Sequence, residues 1–297
     1  MSGGYGPAGK DKWVLKQSVI EFMDNCTDYV HHLSDWKRYM IWRYTFGSGA
    51  LNRFLIGVRD DPNLKFWIFW TCKFWNDMIK TDEYANSTIE YPMTKYTSWG
   101  RDKTNKQLFN PDIVLNMDNN DPKLFAFMQD FAKSLNRVIL STPPVREEFT
   151  VVKVSTKYPE LPDPHNFRPV MVPQKPFNST TLDLELNFGF FLSEEMENII
   201  LLITIPKGSR VLYIPQLVTA YPWEQEVLLP YGCKFKMEKL GVDRLPYYSK
   251  DAIYTRQIQQ KPFTIGPVWE IDSGAMRQLK YKDLSVMAGI YVPPHRK

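Results

Sequence analysis

The spacing of apolar residues changes once along this chain, at Pro143-Pro144. Before these prolines, apolar side chains recur every three or four residues, as in amphipathic helices, over 13–44, 64–79 and 122–138. After them, apolar residues alternate with polar ones or form short runs, which is typical of strands. The predicted strands are 149–155, 175–181, 199–205, 210–214, 226–230 and 233–239. Helices that precede strands, instead of alternating with them, predict an α+β fold.

The composition argues against several classes of function. The net charge of +4, from 37 basic and 33 acidic residues, is small and dispersed, so we expect no nucleic-acid partner. The three cysteines and four histidines lack the spacing of metal ligands, so no metal site is expected. The chain has no apolar run long enough for a membrane span, and its start lacks a signal-peptide pattern. These features lead us to expect a cytoplasmic, intracellular location.

Two polar clusters are the candidate functional residues. Glu224 and Glu226 are one residue apart and lead into an apolar run, so in a strand both carboxylates would point to the same face. Like charges placed this way repel each other unless a cationic or polar partner needs them. The alternative is a solvated strand edge. The second cluster is a run of three hydroxyls in an extended segment, Ser179, Thr180 and Thr181.

Four stretches, in this order, resemble the arginine-type mono-ADP-ribosyltransferases, a toxin-like family with an Arg, Ser, Glu-x-Glu signature. These stretches are 44–55, FNSTTLD at 177–183, IPKGSRVL at 205–212 and YPWEQEVLLP at 221–230. The resemblance covers roughly residues 35–240. It implies a split pair of β-sheets that hold NAD, with N-terminal helices packed around them. We expect 1–34 to be a tail and helix before this domain, and 241–297 to be a C-terminal extension.

The resemblance also implies roles for individual residues. Glu226 would stabilise the positive charge that develops on the ribose as nicotinamide leaves NAD, and Glu224 would orient the incoming nucleophile, typically a guanidinium. Ser179 would hold Glu226, and Thr180 and Thr181 would support their strand beside NAD. The protein-substrate loop would include Tyr221 and Trp223. NAD is then the implied substrate, a protein arginine is the implied acceptor, and no metal is implied.

One position departs from the family pattern. Where the family has an arginine that binds the NAD phosphates, this chain has Lys153. Lysine lacks the planar, two-pronged donor of arginine, so we expect Lys153 to bind NAD weakly and Lys153→Arg to improve the affinity. Two hypotheses follow from this departure: a working transferase or NAD glycohydrolase, and a catalytically degenerate relative that serves as a structural or interaction protein. An unrelated α+β domain is a third.

Overall fold

The fold comes from a computed structural model, and the residues it describes are 16–79, 111–156, 170–182, 198–221, 224–238, 269–272, 275–278 and 285–294. The helices are α1 (Gln17–His31), α2 (Asp35–Phe46), α3 (Gly49–Leu55), α4 (Asn63–Ile79), α5 (Pro111–Leu115) and α6 (Pro122–Leu140). The strands are β1 (Phe149–Thr156), β2 (Val170–Gln174), β3 (Asn178–Thr181), β4 (Asn198–Ile205), β5 (Leu212–Tyr213), β6 (Glu226–Leu229), β7 (Cys233–Glu238), β8 (Trp269–Asp272), β9 (Ala275–Gln278) and β10 (Ser285–Val292). Helices come before strands, so the predicted α+β class is confirmed.

Helix α6 shows how local sequence sets these elements. Asp121 caps the helix, because its carboxylate accepts a hydrogen bond from the backbone N–H of Lys123 at 2.8 Å. Pro122 occupies the first turn, where its missing N–H removes no helical hydrogen bond. The apolar residues recur on one face, which is buried. That face joins α2, α3 and α4 in one core cluster, which contains Trp36, Trp75, Phe127 and Phe131.

Eight strands form one sheet in the order β2-β7-β10-β4-β1-β3-β6-β5. All neighbouring strands are antiparallel except β10 and β4, which are parallel. Among the described residues, a single register pair, Val152 with Thr181, joins the five strands from β2 to β1 to the three strands β3, β6 and β5. The pair of β-sheets that the resemblance implies is therefore one continuous sheet, whose two parts are joined at this register pair. Strands β8 and β9 form a separate two-stranded sheet.

Both ends of the described chain contribute to this core. In α1, Phe22 packs on Phe149 of β1 with ring centroids 4.8 Å apart. Strand β10 lies inside the sheet, between β7 and β4. Gln17–His31 thus contributes side chains to the core cluster and Ser285–Val292 forms a strand of the sheet, while the expected segments 1–34 and 241–297 stay a prediction.

The sheet half that holds β3, β6 and β5 has a core cluster on each side. Val227 and Leu229 of β6 belong to the cluster that contains Phe22 of α1, whereas Leu228 belongs to the cluster made mainly of residues from α2, α3, α4 and α6. This alternation places Glu226 at the start of β6, on the same face as Leu228 and toward the helices. Among the described helices, none is long and apolar enough to cross a membrane.

Candidate active site

Ser179 and Glu226 are in contact across the β3–β6 pair. Thr181 is in register with Glu226 and Ser179 with Leu228, so Ser179 and Glu226 are diagonal neighbours on one face. The Ser179 hydroxyl donates a hydrogen bond to Oε1 of Glu226. The Glu226 residue is only 4% exposed. The contact that the resemblance implies between these two residues is thus present in the structure.

Burial controls the charge of Glu226. Loss of hydration raises the pKa of its carboxyl to about 7, and the nearby Glu224 carboxylate adds to this increase. The Ser179 hydrogen bond and the Lys153 ammonium act in the opposite direction, because each favours the ionised carboxylate. At neutral pH a substantial fraction of Glu226 is therefore ionised, and a substantial fraction is protonated.

Glu224 lies just outside the strand, since β6 begins at Glu226. The residue between them, Gln225, has a φ of 43°, in the left-handed region, so the strand alternation that the sequence analysis assumed does not extend back to Glu224. Backbone contacts instead hold this turn against β3. The Thr181 hydroxyl donates to the Glu224 carbonyl at 2.6 Å, and the Leu182 N–H donates to the Gln225 carbonyl at 3.2 Å. Glu224 is partly buried, and this burial raises the pKa of its carboxyl.

The remaining hydroxyl of the cluster, Thr180, faces the opposite side of β3. Its hydroxyl donates to the Val227 carbonyl at 2.6 Å. Thr180 and Thr181 therefore both tie β3 to the chain around Glu226, by side-chain bonds added to the strand ladder. This is a supporting role for the strand that carries Ser179.

Lys153 reaches this region from β1, one residue beyond the pair that joins Val152 to Thr181. Its ammonium donates a hydrogen bond to Oδ1 of Asn178, with Nζ and Oδ1 3.0 Å apart. Loss of hydration lowers the pKa of the Lys153 ammonium to about 8, partly offset by the negative charges of Cys233 and Glu226 when these are ionised. Asn178 is a site residue that the sequence analysis missed. Its only sequence signal is its place in FNSTTLD.

Helices α2 and α3 add two further residues that the sequence analysis did not single out. Tyr44 is 1% exposed, and burial together with the Glu226 charge raises the pKa of its hydroxyl. Nδ2 of Asn52 donates to the Tyr44 hydroxyl at 3.3 Å. Oδ1 of Asn52 is buried and has no hydrogen-bond partner among the described residues. Both residues lie in the stretch 44–55, which carried the resemblance but no role.

The predicted substrate loop leaves β5 through a 3₁₀ turn, Gln216–Val218. It is fixed to α2, because the Ala220 N–H donates to the Thr45 hydroxyl at 2.9 Å. Tyr221 is 37% exposed, and its carbonyl accepts from the Glu224 N–H at 3.1 Å. Trp223 lies outside the described residues.

A cavity of about 490 Å³ lies next to this turn. It is lined by Tyr39, Trp42 and Phe74 of α2 and α4, and by Leu217 and Val218 of the turn, with other residues of α1, α2 and α4. The described residues contain no group of three or more His, Cys, Asp or Glu side chains that could hold a metal ion.

Comparisons with known proteins point to one family for part of the chain. Residues 167–258 match the family model described as ADP-ribosyltransferase exoenzyme. A search of curated proteins found no match. The solved structures that resemble this fold include three proteins of low sequence identity. Plx2a, a toxin from Paenibacillus larvae, is 11% identical, with 93% of this chain and 95% of that chain covered and a TM-score of 0.46. C3stau2 from S. aureus, with NAD, is 12% identical (96% and 100% covered, TM-score 0.48), and BECa of C. perfringens, with NADH, is 12% identical (94% and 50% covered, TM-score 0.45). The part of the chain that holds Ser179, Glu224 and Glu226 is thus similar to the ADP-ribosyltransferase exoenzymes.

Proposed function

We propose that this protein is an NAD-dependent mono-ADP-ribosyltransferase that modifies a protein on arginine, with NAD hydrolysis as the reaction when no acceptor is bound. The observation that carries the proposal is the buried Glu226 carboxylate, held by the Ser179 hydroxyl within the segment that matches the exoenzyme family. Structural pairs of this kind occur without catalysis, but here a third polar group, Glu224, lies close enough to raise the pKa of Glu226.

The residues around Glu226 fit NAD. Oδ1 of Asn52 is a buried acceptor without a partner among the described residues, and a bound ribose hydroxyl or carboxamide N–H would satisfy it. Tyr44 connects this acceptor to Glu226: its hydroxyl accepts from Asn52, and its pKa responds to the Glu226 charge. A small set of convergent polar groups beside packed aromatic side chains is typical of ligand sites.

The chemistry assigned to Glu226 is stabilisation of a developing positive charge. When nicotinamide leaves, the ribose carbon that it leaves becomes electron-poor, and an ionised carboxylate that accepts a hydrogen bond from the ribose stabilises this state more than the ground state. The low exposure of Glu226 strengthens that interaction, because little water competes. Ser179 keeps the carboxylate oriented and favours its ionised form.

Glu224 is the candidate residue for the acceptor. It is partly buried and lies at the junction of the substrate loop and β6. Its raised pKa suits a group that accepts a proton from, or orients, an incoming guanidinium. Tyr221 and Trp223, in the loop that leads to Glu224, would contact the acceptor protein.

A second candidate function is that of an interaction protein with this fold and without the reaction. The observation that favours it is Lys153, whose ammonium already donates to Asn178 and stands where the family has an arginine. Large exposed apolar side chains on α2 and α4 would supply a contact surface, namely Phe46, Phe66 and Trp70.

The test is to measure release of labelled nicotinamide and transfer of labelled ADP-ribose to agmatine, a small guanidine. Glu226→Gln should abolish both, whereas Glu224→Gln should keep nicotinamide release and lose transfer. Glu147→Gln, an exposed carboxylate before β1, is the matched control and should keep both activities. Equal losses in Glu224→Gln and Glu226→Gln would contradict these roles, and no release by the wild type would favour the interaction protein.

A further inference from the structure

Lys153 lies next to the row of residues that crosses the joint of the sheet. Val152 on β1 is in register with Thr181 on β3, and Thr181 is in register with Glu226 on β6. Lys153 directly follows Val152, so on β1 it is one residue beyond this row, and β3 lies between its strand and the strand of Glu226. Within the described residues, this register places Lys153 next to the one pair that joins β1 to β3.

The ammonium of Lys153 is committed to a partner on β3. It donates to Oδ1 of Asn178 at 3.0 Å, and Asn178 is 1% exposed. The other end of the same amide donates to the Pro176 carbonyl at 3.2 Å, which fixes the amide orientation. Asn178 directly precedes Ser179, whose hydroxyl holds Glu226. Lys153 therefore supports the strand residue that orients the carboxylate.

We propose that Lys153 is a positioning residue, which fixes Asn178 beside Ser179 and acts on Glu226 across the joint of the sheet, and that it does not bind the NAD phosphates. This inference rests on the proposed function for its catalytic meaning, but the claim about Glu226 concerns the protein alone. It replaces the phosphate-binding role that the family resemblance implies for Lys153.

The charges around Lys153 and Glu226 support this assignment. Among the described residues, the groups that act on the charge of Glu226 are Ser179 from β3, Glu224 from the preceding turn, Tyr44 from α2 and Lys153 from β1. Of these four, Lys153 is the cation, and it opposes the combined effect of burial and Glu224. In the described part of the chain, Asn178 accepts a hydrogen bond from Lys153, and Cys233 of β7 and Glu226 are the ionisable groups that act on its charge. Both of these ionisable groups become negative on ionisation, so the Lys153 charge lowers the free energy of the ionised Glu226.

The experiment follows the ionisation of Glu226 directly. Protein labelled with ¹³C at the glutamate carboxyls is titrated by NMR, and the Glu226 signal is assigned from its absence in Glu226→Gln. Two neutral variants are compared, Lys153→Met and Lys153→Gln, because the glutamine amide can still donate to Asn178 if methionine prevents folding. In either one, the Glu226 midpoint should rise by about 1 pH unit, the low end of the effect of one nearby opposite charge.

Two further variants complete the test. Lys153→Arg keeps the charge, so its midpoint should stay near that of the wild type, and NAD affinity measured by calorimetry should not improve. Lys207→Met removes an exposed lysine from the turn after β4 and should leave the midpoint unchanged. An unchanged midpoint in both neutral variants would overturn the inference. So would a roughly tenfold or greater loss of NAD affinity in them without a shift in the midpoint. If the wild type does not bind NAD, the proposed function fails, but the midpoints still decide whether Lys153 acts on Glu226.

Discussion

Removal of the Ser179 hydroxyl should change the pH at which the protein cleaves NAD. Ser179 donates to a carboxylate that is 4% exposed, and this hydrogen bond lowers the pKa of Glu226 toward its value of about 7. A hydrogen bond to a charged group contributes about 1.5–3 kcal/mol, which corresponds to roughly 1–2 pH units. In Ser179→Ala the pKa of Glu226 should therefore rise to about 8–9.

The expected loss of activity follows from the ionised fraction of Glu226. With a pKa of about 7, half of Glu226 is ionised at pH 7. If the pKa rises by 1–2 units, the fraction falls to about 9% or 1%, so nicotinamide release at pH 7 should fall about 5- to 50-fold. Because the lost activity reflects protonation, it should recover as the pH rises toward 9.

The assay is the rate of nicotinamide release from NAD, measured from pH 6 to 9 in wild type, Ser179→Ala and Ser134→Ala. Ser134 is a partly buried serine on α6, away from the β3–β6 pair, and its variant should keep the wild-type midpoint. A loss of rate in Ser179→Ala that is the same at every pH would refute the reasoning, because it would show that the hydroxyl does not act through the charge of Glu226.

Three further changes test the energetics of the same region. Glu226 has a folded-state pKa of about 7 against 4.5 for a free glutamate, so the folded protein retains a proton that the unfolded chain loses, and stability should fall as the pH rises through this window. Chemical denaturation should show Glu226→Gln gaining up to about 3 kcal/mol relative to wild type between pH 4.5 and 8, and a constant difference would contradict the burial effect. Gln225→Val should lower the melting temperature, reflecting a loss of about 1–3 kcal/mol, since a β-branched residue is strained at a φ of 43°, whereas Gln225→Gly should be tolerated. Thr45→Val should destabilise the fold by about 0.5–1.5 kcal/mol and increase amide hydrogen exchange at Ala220, whose N–H loses its acceptor; unchanged exchange there would count against this contact.

The elements that the sequence analysis predicted well are those with strong local signals. Helix α6 has a capping Asp121, Pro122 in its first turn and an amphipathic period, so its type and start follow from neighbouring residues. Strand β4, Asn198–Ile205, is a continuous apolar run, as a strand in the middle of a sheet requires.

Strand β10 could not be recognised in this way. Its residues, SVMAGIYV, have no alternation, and its neighbours β4 and β7 are distant in sequence. Glycine normally weakens a strand, but Gly289 has a packing reason here: a Cβ at this position would lie 3.0 Å from the Met237 sulfur on β7. This reason exists only once β7 and β10 are paired.

The contacts of the candidate site fall into the same two groups, those that the sequence implies and those that depend on how distant elements pack. The pairing of Ser179 with Glu226 is implied by the family resemblance of the two segments that carry them. The contacts of Tyr44 with Asn52 and of Lys153 with Asn178 are not implied in this way, because they depend on how α3 packs beside α2 and on how β1 meets β3. The register pair of Val152 with Thr181 determines which polar group Lys153 reaches, and no local pattern specifies a register between strands 25 or more residues apart.

The most direct test of the central claim is a crystal structure of Glu226→Gln with NAD, since this variant should bind NAD without cleaving it. The nicotinamide ribose should contact the glutamine side chain at position 226, Ser179 should remain beside it, and Oδ1 of Asn52 should accept a hydrogen bond from the ligand. Two results would contradict the role assigned to Glu226, which is to stabilise the charge on the ribose as nicotinamide leaves. These are NAD bound in the cavity between α2 and α4, and NAD bound with its ribose away from position 226.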